Sequence, residues 1–221
     1  MKLTTTLNKI RACSPCASGW RTLVKHVGKE FDPNAEINLL TILESNGVAD
    51  MLWTLRATDQ DSKRIASQLA IEFAATSLPI FEKRRNDERP RKAIQAARDY
   101  LDGKISLEQL RSCRSHADAA ADAAAAADAA ADAAAAYAAY AAAAAAADAY
   151  ATYVAAAYAA AAYATYVAAA ADATYAAYAT YVAAAADATY VAADAAYATY
   201  VAAREKALES QAEIIRMILE P

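Results

Sequence analysis

Two pairs of residues have the types and the spacing of metal ligands. Two residues separate Cys13 from Cys16, and two residues separate Cys113 from His116. Structural zinc ions are held by four cysteine or histidine ligands, commonly arranged as two such pairs along the chain. One hypothesis is therefore a Cys3His zinc site. The alternative is three inert thiols, because an odd number of cysteines does not complete a disulfide framework.

A second set of polar side chains could bind a ligand or a partner. Asp87, Arg89 and Arg91 form a charged turn at a helix start, where an arginine fork could hold a carboxylate or a phosphate. Trp53 and Arg56 stand together in Trp-Thr-Leu-Arg. Convergence of these five side chains on one pocket would indicate a small-ligand site or an enzyme. Their dispersal would indicate internal ion pairs or a solvated surface.

The rest of the sequence points to binding rather than to catalysis. It contains no recognisable paired acids, Ser–His or Cys–His nucleophile system, or glycine-rich phosphate loop. We therefore expect a non-enzymatic protein that needs no cofactor other than the zinc ion considered above.

Helices are the predicted elements that position these side chains. Helix start and stop residues divide the first 116 residues into short segments, and no segment has strand-like alternation of convincing length. The predicted boundaries are Leu7 to about Arg11, Ser18 to Val27, a start at Pro33, a tight turn at Asn46-Gly47, a start at Asp59 or Asp61, an interruption or restart at Pro79, and a capping box at Ser106–Gln109. The predicted fold class is all-α.

Residues 117–203 consist only of Ala, Tyr, Asp, Thr and Val. Ala is the best helix former, and the stretch lacks Gly and Pro, so helix is predicted almost throughout. One straight helix over these residues would be roughly 130 Å long, so we expect several long antiparallel helices instead. A tandem repeat joins residues 163–177 to 178–192, which agree at 14 of 15 positions. We expect residues 1–116 to form a helical amino-terminal subdomain and residues 117–221 to pack against it as one globular unit.

Charge divides the chain unevenly. Residues 1–116 contain 19 basic and 14 acidic side chains, whereas residues 117–203 contain eight Asp and no basic residue. An acidic helix face within an arc of about 120° is predicted at Asp118, Asp122, Asp128 and Asp132. This face is a candidate surface for a protein partner, or an acidic mimic of nucleic acid, and its sign excludes direct nucleic-acid binding there. The predicted partner-binding residues are these four Asp together with Trp53, Arg56, Asp87, Arg89 and Arg91.

The location predicted from the sequence is cytoplasmic, without a membrane span. No basic start followed by an apolar core marks a signal peptide. The longest uncharged run, residues 149–171, has the length of a bilayer span but contains no Leu, Ile or Phe to favour insertion.

Three stretches of the chain resemble the immunity proteins of bacterial polymorphic-toxin systems and phages. They are residues 38–47, residues 50–57, and Phe81-Glu82-Lys83 leading to residues 89–94. Members of that family also carry an Ala-rich carboxy-terminal half and then a short charged helix, as at residues 204–219. The resemblance implies an all-helical, non-enzymatic protein that neutralises a toxin or another protein antagonist by binding it. This chain departs from the family in lacking the Trp, His and Arg often interspersed in the Ala-rich half.

Overall fold

A computed structural model describes residues 3–58, 62–83, 85–125 and 189–220. These residues are mainly α-helical, which confirms the all-α prediction, and they include one pair of two-residue strands. The helices are α1 (Leu7–Ala12), α2 (Ala17–Val27), α3 (Leu39–Asn46), α4 (Val48–Thr54), α5 (Ser62–Glu82), α6 (Arg89–Leu101), α7 (Leu107–Ala125) and α8 (Thr189–Leu219). The strands are β1 (Thr4–Thr5) and β2 (Ile37–Asn38), and a 3-10 turn, η1, spans Leu55–Ala57.

Helix boundaries set by local capping agree with the prediction. Thr6 caps α1 by accepting a hydrogen bond from the backbone N–H of Lys9 at 3.2 Å. Gly28, with a φ of 91°, ends α2. Gly47, with a φ of 85°, separates α3 from α4, so the predicted tight turn at Asn46-Gly47 is confirmed. Only glycine adopts such positive φ angles readily. These two glycines therefore end their helices locally, independently of tertiary packing.

The predicted helix start at Pro33 is wrong, because a turn and then β2 precede α3. The carboxylate of Asp32 accepts a hydrogen bond from the backbone N–H of Asn34 at 2.9 Å and holds the turn. β2 then pairs antiparallel with β1. Asn38 caps α3 by accepting from the backbone N–H of Leu40 at 3.0 Å. Side chains of Asp and Asn that bond nearby backbone groups compete with helix, and here they delay its start.

The predicted interruption or restart at Pro79 is also wrong, because α5 continues through it. Proline lacks the N–H that would bond the carbonyl of Ala75, but the helix ends only three residues later, at Glu82. Phe81, in that last turn, is 1% exposed. Burial of this ring favours the helical course of the chain beyond the proline.

The core lies among α3, α4, α5 and α6, and the carboxy-terminal helix covers part of it. Met51, Leu52, Leu69 and Phe73 are all fully buried. α8 packs on α5 and contacts α3 and α4, and the side chain of Ile215 is fully buried there. The helix expected at residues 204–219 is present, but α8 begins earlier, at Thr189.

α7 begins at the predicted capping box and leads into the Ala-rich stretch. The backbone N–H of Ser106 donates to Oε1 of Gln109 at 2.8 Å, and the backbone N–H of Gln109 donates to Oγ of Ser106 at 3.2 Å. The uncharged run of residues 149–171 and all of the tandem repeat except residues 189–192 lie outside the described residues, as do most of the expected helix reversals. No helix in the described part of the chain combines the length and apolarity needed to cross a bilayer.

Candidate functional site

A small cavity lies at the packing surface of α2, α3 and α4. Its volume is about 70 Å³, and its walls include side chains from each of these helices. The lining residues are Ile10, Pro15, Cys16, Gly19, Trp20, Leu23, Ile42, Asn46, Asp50, Trp53 and Thr54. Pockets for small molecules usually measure about 300–1,000 Å³. This cavity therefore has room for a few water molecules, but not for a ligand of the usual size.

Polar groups around the cavity hold the three helices together. The amide nitrogen of Asn46 donates to the backbone carbonyl of Gly19 at 2.8 Å and to Oδ2 of Asp50 at 2.7 Å. A Cβ atom on residue 19 would lie 2.5 Å from that same carboxylate oxygen. A side chain at this position would therefore displace the Asp50 carboxylate from its present place. Because all three helices share these contacts, the two tryptophans in the cavity wall are held in defined positions.

Each of those tryptophans has an arginine stacked over its ring. The guanidinium of Arg11 lies 5.9 Å from the ring centroid of Trp20, and that of Arg56 lies 4.8 Å from the ring centroid of Trp53. Both arginines are exposed, and both rings are half-buried. Neither guanidinium forms an ion pair with a carboxylate of the described residues. We call Arg11, Trp20, Trp53 and Arg56 the tryptophan face.

The connection between α5 and α6 contains a second group of arginines, and these are ion-paired. Arg89 donates through Nη2 to Oδ2 of Asp87 at 2.6 Å, and its backbone N–H donates to Oδ1 at 3.0 Å. Arg91 donates through Nε to Oε1 of Glu82 at 2.6 Å. The hydrogen bond from the Arg89 side chain lowers the pKa of Asp87. We call Glu82, Asp87, Arg89 and Arg91 the α5–α6 corner.

The five side chains predicted to surround one pocket thus fall into two groups. Trp53 lines the cavity, and Arg56 stacks over it. Asp87, Arg89 and Arg91 do not line that cavity, and their charged groups bond one another or Glu82. The structure therefore assembles the tryptophan–arginine half of the predicted set with two further residues, Arg11 and Trp20, that the sequence reasoning missed.

A sequence signal for the missed residues exists. The chain contains two tryptophans in 221 residues, and an arginine lies three residues after Trp53 and nine residues before Trp20. A tryptophan half-buried beside a cationic side chain is a common arrangement at binding surfaces. That both tryptophans line one cavity, however, depends on how α2 packs on α3 and α4.

The four predicted zinc ligands are not brought together. The thiol of Cys13 approaches the backbone carbonyl of Arg56 at 3.8 Å, whereas Cys16 caps α2. Cys113 and His116 lie on α7, which packs on α6. All three cysteines are free, and no group of three or more His, Cys, Asp or Glu side chains among the described residues is arranged to hold a metal ion. Capping and packing, not metal ligation, account for the two amino-terminal thiols.

Cys16 is chemically distinct from an ordinary surface cysteine. The hydroxyl of Ser18 lies 3.5 Å from its sulfur, and the backbone N–H of Gly19 donates to that sulfur at 3.3 Å. These two hydrogen bonds stabilise the thiolate and lower the pKa of the thiol, with the contribution of Ser18 being the larger.

The predicted acidic face falls only partly within the described residues. Asp118 lies on α7 and is half-buried. Asp122 belongs to the same helix by its backbone. Asp128 and Asp132 lie outside the described residues.

Comparison with known proteins identifies one family. The family model described as Imm-5 like putative immunity protein matches residues 56–185. No curated protein and no solved structure matches the chain. The matched range, more than half of the chain, contains the whole α5–α6 corner. Of the tryptophan face, it contains only Arg56.

Proposed function

Because this chain belongs to the Imm-5 like putative immunity protein family, we propose that it neutralises a protein antagonist, such as a toxin, by binding it without catalysis. The family is the one that the sequence resembles, and the matched range includes the stretch from Phe81-Glu82-Lys83 to residues 89–94. An inhibitor of this kind needs an ordered surface whose side chains are available to another protein.

The tryptophan face is the observation that supports this proposal most strongly. Trp and Arg are among the residues that most often dominate the free energy of protein–protein binding. Trp53 and Trp20 are held by helix packing, and the stacked guanidiniums are already partly ordered. Binding therefore immobilises few further side-chain torsions, which reduces the entropic cost of association.

The α5–α6 corner has a scaffold role in this proposal. Arg89 and Arg91 already donate to carboxylates of this chain, so a partner would have to replace existing ion pairs. Asp87 also accepts from a backbone N–H in the first turn of α6. The acidic side of α7, represented by Asp118, stays a predicted second contact surface.

A small-ligand or catalytic role for the same region has weaker support. The cavity beneath the tryptophans measures about 70 Å³, which is too small for a typical metabolite. Asp87, Arg89 and Arg91 do not contribute to it. Binding of a protein over the outside of the face requires no larger cavity.

Co-expression with neighbouring genes tests the proposal. Each gene that adjoins the one encoding this chain is expressed alone in a bacterial host, and then together with the chain. We expect one neighbour to arrest growth, the chain to restore it, and the two purified proteins to elute as a stoichiometric complex. The variant Trp53→Ala/Arg56→Ala should lose the restoration, whereas Arg91→Ala should retain it.

Three results would contradict the proposal. The first is that no neighbour arrests growth, and the second is that co-expression leaves the arrest unchanged. The third is restored growth without a complex, accompanied by chemical modification of the toxin or its product. That third result would indicate an enzyme.

A further inference from the structure

A shallow groove runs along the outer side of α2, next to the tryptophan face. It has a volume of about 470 Å³, and Trp20 belongs both to this groove and to the cavity wall. Its lining residues are Trp20, Arg21, Val24, Lys25, Gly28 and Lys29. We call these six residues the α2 groove.

Two rows of different chemistry run along the α2 groove. Trp20, Val24 and Gly28 follow one another at intervals of four residues and form an apolar row. Arg21, Lys25 and Lys29 are the three basic members and have the same spacing, one position further along. Residues four apart lie on the same side of a helix, so within α2 Trp20 and Val24 lie beside Arg21 and Lys25. Gly28 and Lys29 extend the groove beyond the end of the helix.

The groove is open and rich in positive charge. Arg21, Lys25 and Lys29 are exposed, and none forms an ion pair with a carboxylate of the described residues. The first 29 residues of the chain contain six Lys and Arg and no Asp or Glu. At Gly28 no atom lies within 4 Å of where a Cβ would stand, so the far end of the groove is unobstructed.

We infer that the α2 groove docks a segment of the protein antagonist in which acidic and apolar side chains alternate. The inference rests on the proposed function and adds the chemistry of the surface that is recognised. Carboxylates of the segment would meet the basic row, and apolar side chains would cover Trp20 and Val24. Complementary charge of this kind speeds association and selects the partner.

Two other occupants fit the groove less well. Single-stranded nucleic acid is bound by successive aromatic rings that stack on its bases, but the α2 groove contains one ring, Trp20. The chain's own Asp-bearing stretch is the other candidate. Its described ends pack elsewhere, α7 on α6 and α8 on α5.

A labelled peptide tests the inference without knowledge of the antagonist. The probe is a fluorescein-labelled peptide in which Glu and Leu alternate, and fluorescence anisotropy reports its binding to the full chain. We expect the charge reversal Arg21→Glu/Lys25→Glu/Lys29→Glu to weaken binding about tenfold or more. Raising NaCl from about 50 mM to about 300 mM should also weaken it, because salt screens exposed charges.

Matched controls separate specific docking from a general effect of charge. Arg111→Glu/Arg204→Glu/Lys206→Glu reverses three exposed basic residues on other helices, and it should change the affinity by less than about twofold. Peptides of Gln and Leu, or of Glu and Ser, should bind more weakly than the probe. The substitution Trp20→Phe keeps an aromatic ring in the groove. If this variant stays folded but binds the probe more weakly, the weaker binding reflects the loss of an indole contact and not the loss of the fold.

Any of five observations would overturn the inference. The first is equal weakening of binding by both triple variants, and the second is a wild-type chain that does not bind the probe. Single-stranded DNA of the same net charge could bind more tightly through the same residues. Light scattering could show a dimer that the α2 reversal dissociates, or Asp→Asn changes in residues 126–188 could raise the affinity for the probe.

The proposed function can survive a failure of this inference. If the α2 reversal still restores growth beside the toxic neighbour, the chain is an inhibitor that uses another surface. If the probe binds as expected but no neighbour is neutralised, the groove has the inferred chemistry and the proposed function is wrong.

Discussion

Two arginine-bearing regions of this protein differ in whether their charge is available to another molecule. In the α5–α6 corner, Arg89 and Arg91 donate to carboxylates of the chain at 2.6 Å. In the tryptophan face, Arg11 and Arg56 stack over indole rings and form no ion pair with a described carboxylate. Arginine therefore forms ion pairs within the scaffold in one place and has no described carboxylate partner in the other.

The supply of nearby carboxylates explains much of this difference. Arg89 lies two residues after Asp87, and Arg91 lies across a turn from Glu82. Arg11 has no acidic residue within the first 29 positions. Stacking on an indole ring is worth about 0.5–1 kcal/mol at an exposed site, and it leaves the guanidinium without a carboxylate partner.

The largest expected effect concerns partner binding. Trp20→Ala should weaken the complex with the antagonist by about 30-fold or more, because truncation of a central tryptophan commonly costs about 2 kcal/mol or more. Isothermal titration calorimetry measures the affinity, and circular dichroism verifies that the variant is folded. If Arg89→Ala reduced the affinity equally, the α5–α6 corner would contribute to binding as much as the tryptophan face.

The next effect concerns the support of the tryptophan face. Asn46→Ala should lower the free energy of unfolding by about 2 kcal/mol, because the Gly19 carbonyl and the Asp50 carboxylate both lose a donor. Asn8→Ala is the matched control, since its bond to Asn34 is exposed. Urea denaturation measures the free energy of unfolding of both variants. If both lost the same amount, the hydrogen bonds of Asn46 would stabilise the fold no more than an exposed hydrogen bond does.

A smaller effect, dependent on pH, is expected at the corner. Asp87→Asn should cost about 0.5–1 kcal/mol at neutral pH, allowing for the partial exposure of its ion pair. The folded-state pKa of Asp87 is lowered, first by the Arg89 side chain, so its contribution is complete above the unfolded-state pKa of about 3.9. That contribution disappears as the pH falls through the lowered folded-state pKa.

Unfolding free energies measured from pH 7 down to pH 2 test this dependence. The difference between the wild-type protein and Asp87→Asn should be constant near neutrality and shrink only in strong acid. Glu88→Gln, which removes an exposed ion pair with Lys92, serves as the control. If the difference in unfolding free energy grew on acidification, the ionised Asp87 carboxylate would not be the stabilising form.

The smallest expected effect is on neutralisation by a corner variant. Arg91→Met removes the ion pair with Glu82. The Arg91 side chain is 60% exposed, so the melting temperature should change little. Affinity for the antagonist should stay within about twofold of the wild-type value, because the corner does not belong to the tryptophan face. Surface plasmon resonance measures this affinity, and a large loss would place the corner in the interface.

Local capping explains why much of the helical fold was predictable. The side-chain bonds at Thr6 and in the box from Ser106 to Gln109 involve residues only three apart. The start predicted at Pro33 failed for the opposite reason, because β2 pairs with β1 and the partners, Thr4 with Asn38 and Thr5 with Ile37, lie far apart in the sequence. A prediction made from a short stretch of sequence cannot detect a strand partner at that separation.

The candidate site also contains a part that is predictable from neighbouring residues and a part that depends on tertiary packing. Trp53 and Arg56, three residues apart, were recognised as a pair, whereas Arg11 and Trp20 were not connected with them. The zinc hypothesis failed because equal spacing within two pairs does not bring the pairs together: Cys13 and Cys16 lie beside α2, and Cys113 lies on α7.

The sequence by itself determined the all-α class, most helix boundaries in the described residues and the family of the chain, because these depend on propensity, capping and residue order. Only the tertiary structure decided that Trp20 and Trp53 line one cavity. The physical reason is that this arrangement depends on how α2 packs on α3 and α4, whereas the Asp87–Arg89 and Trp53–Arg56 contacts join residues close in the sequence.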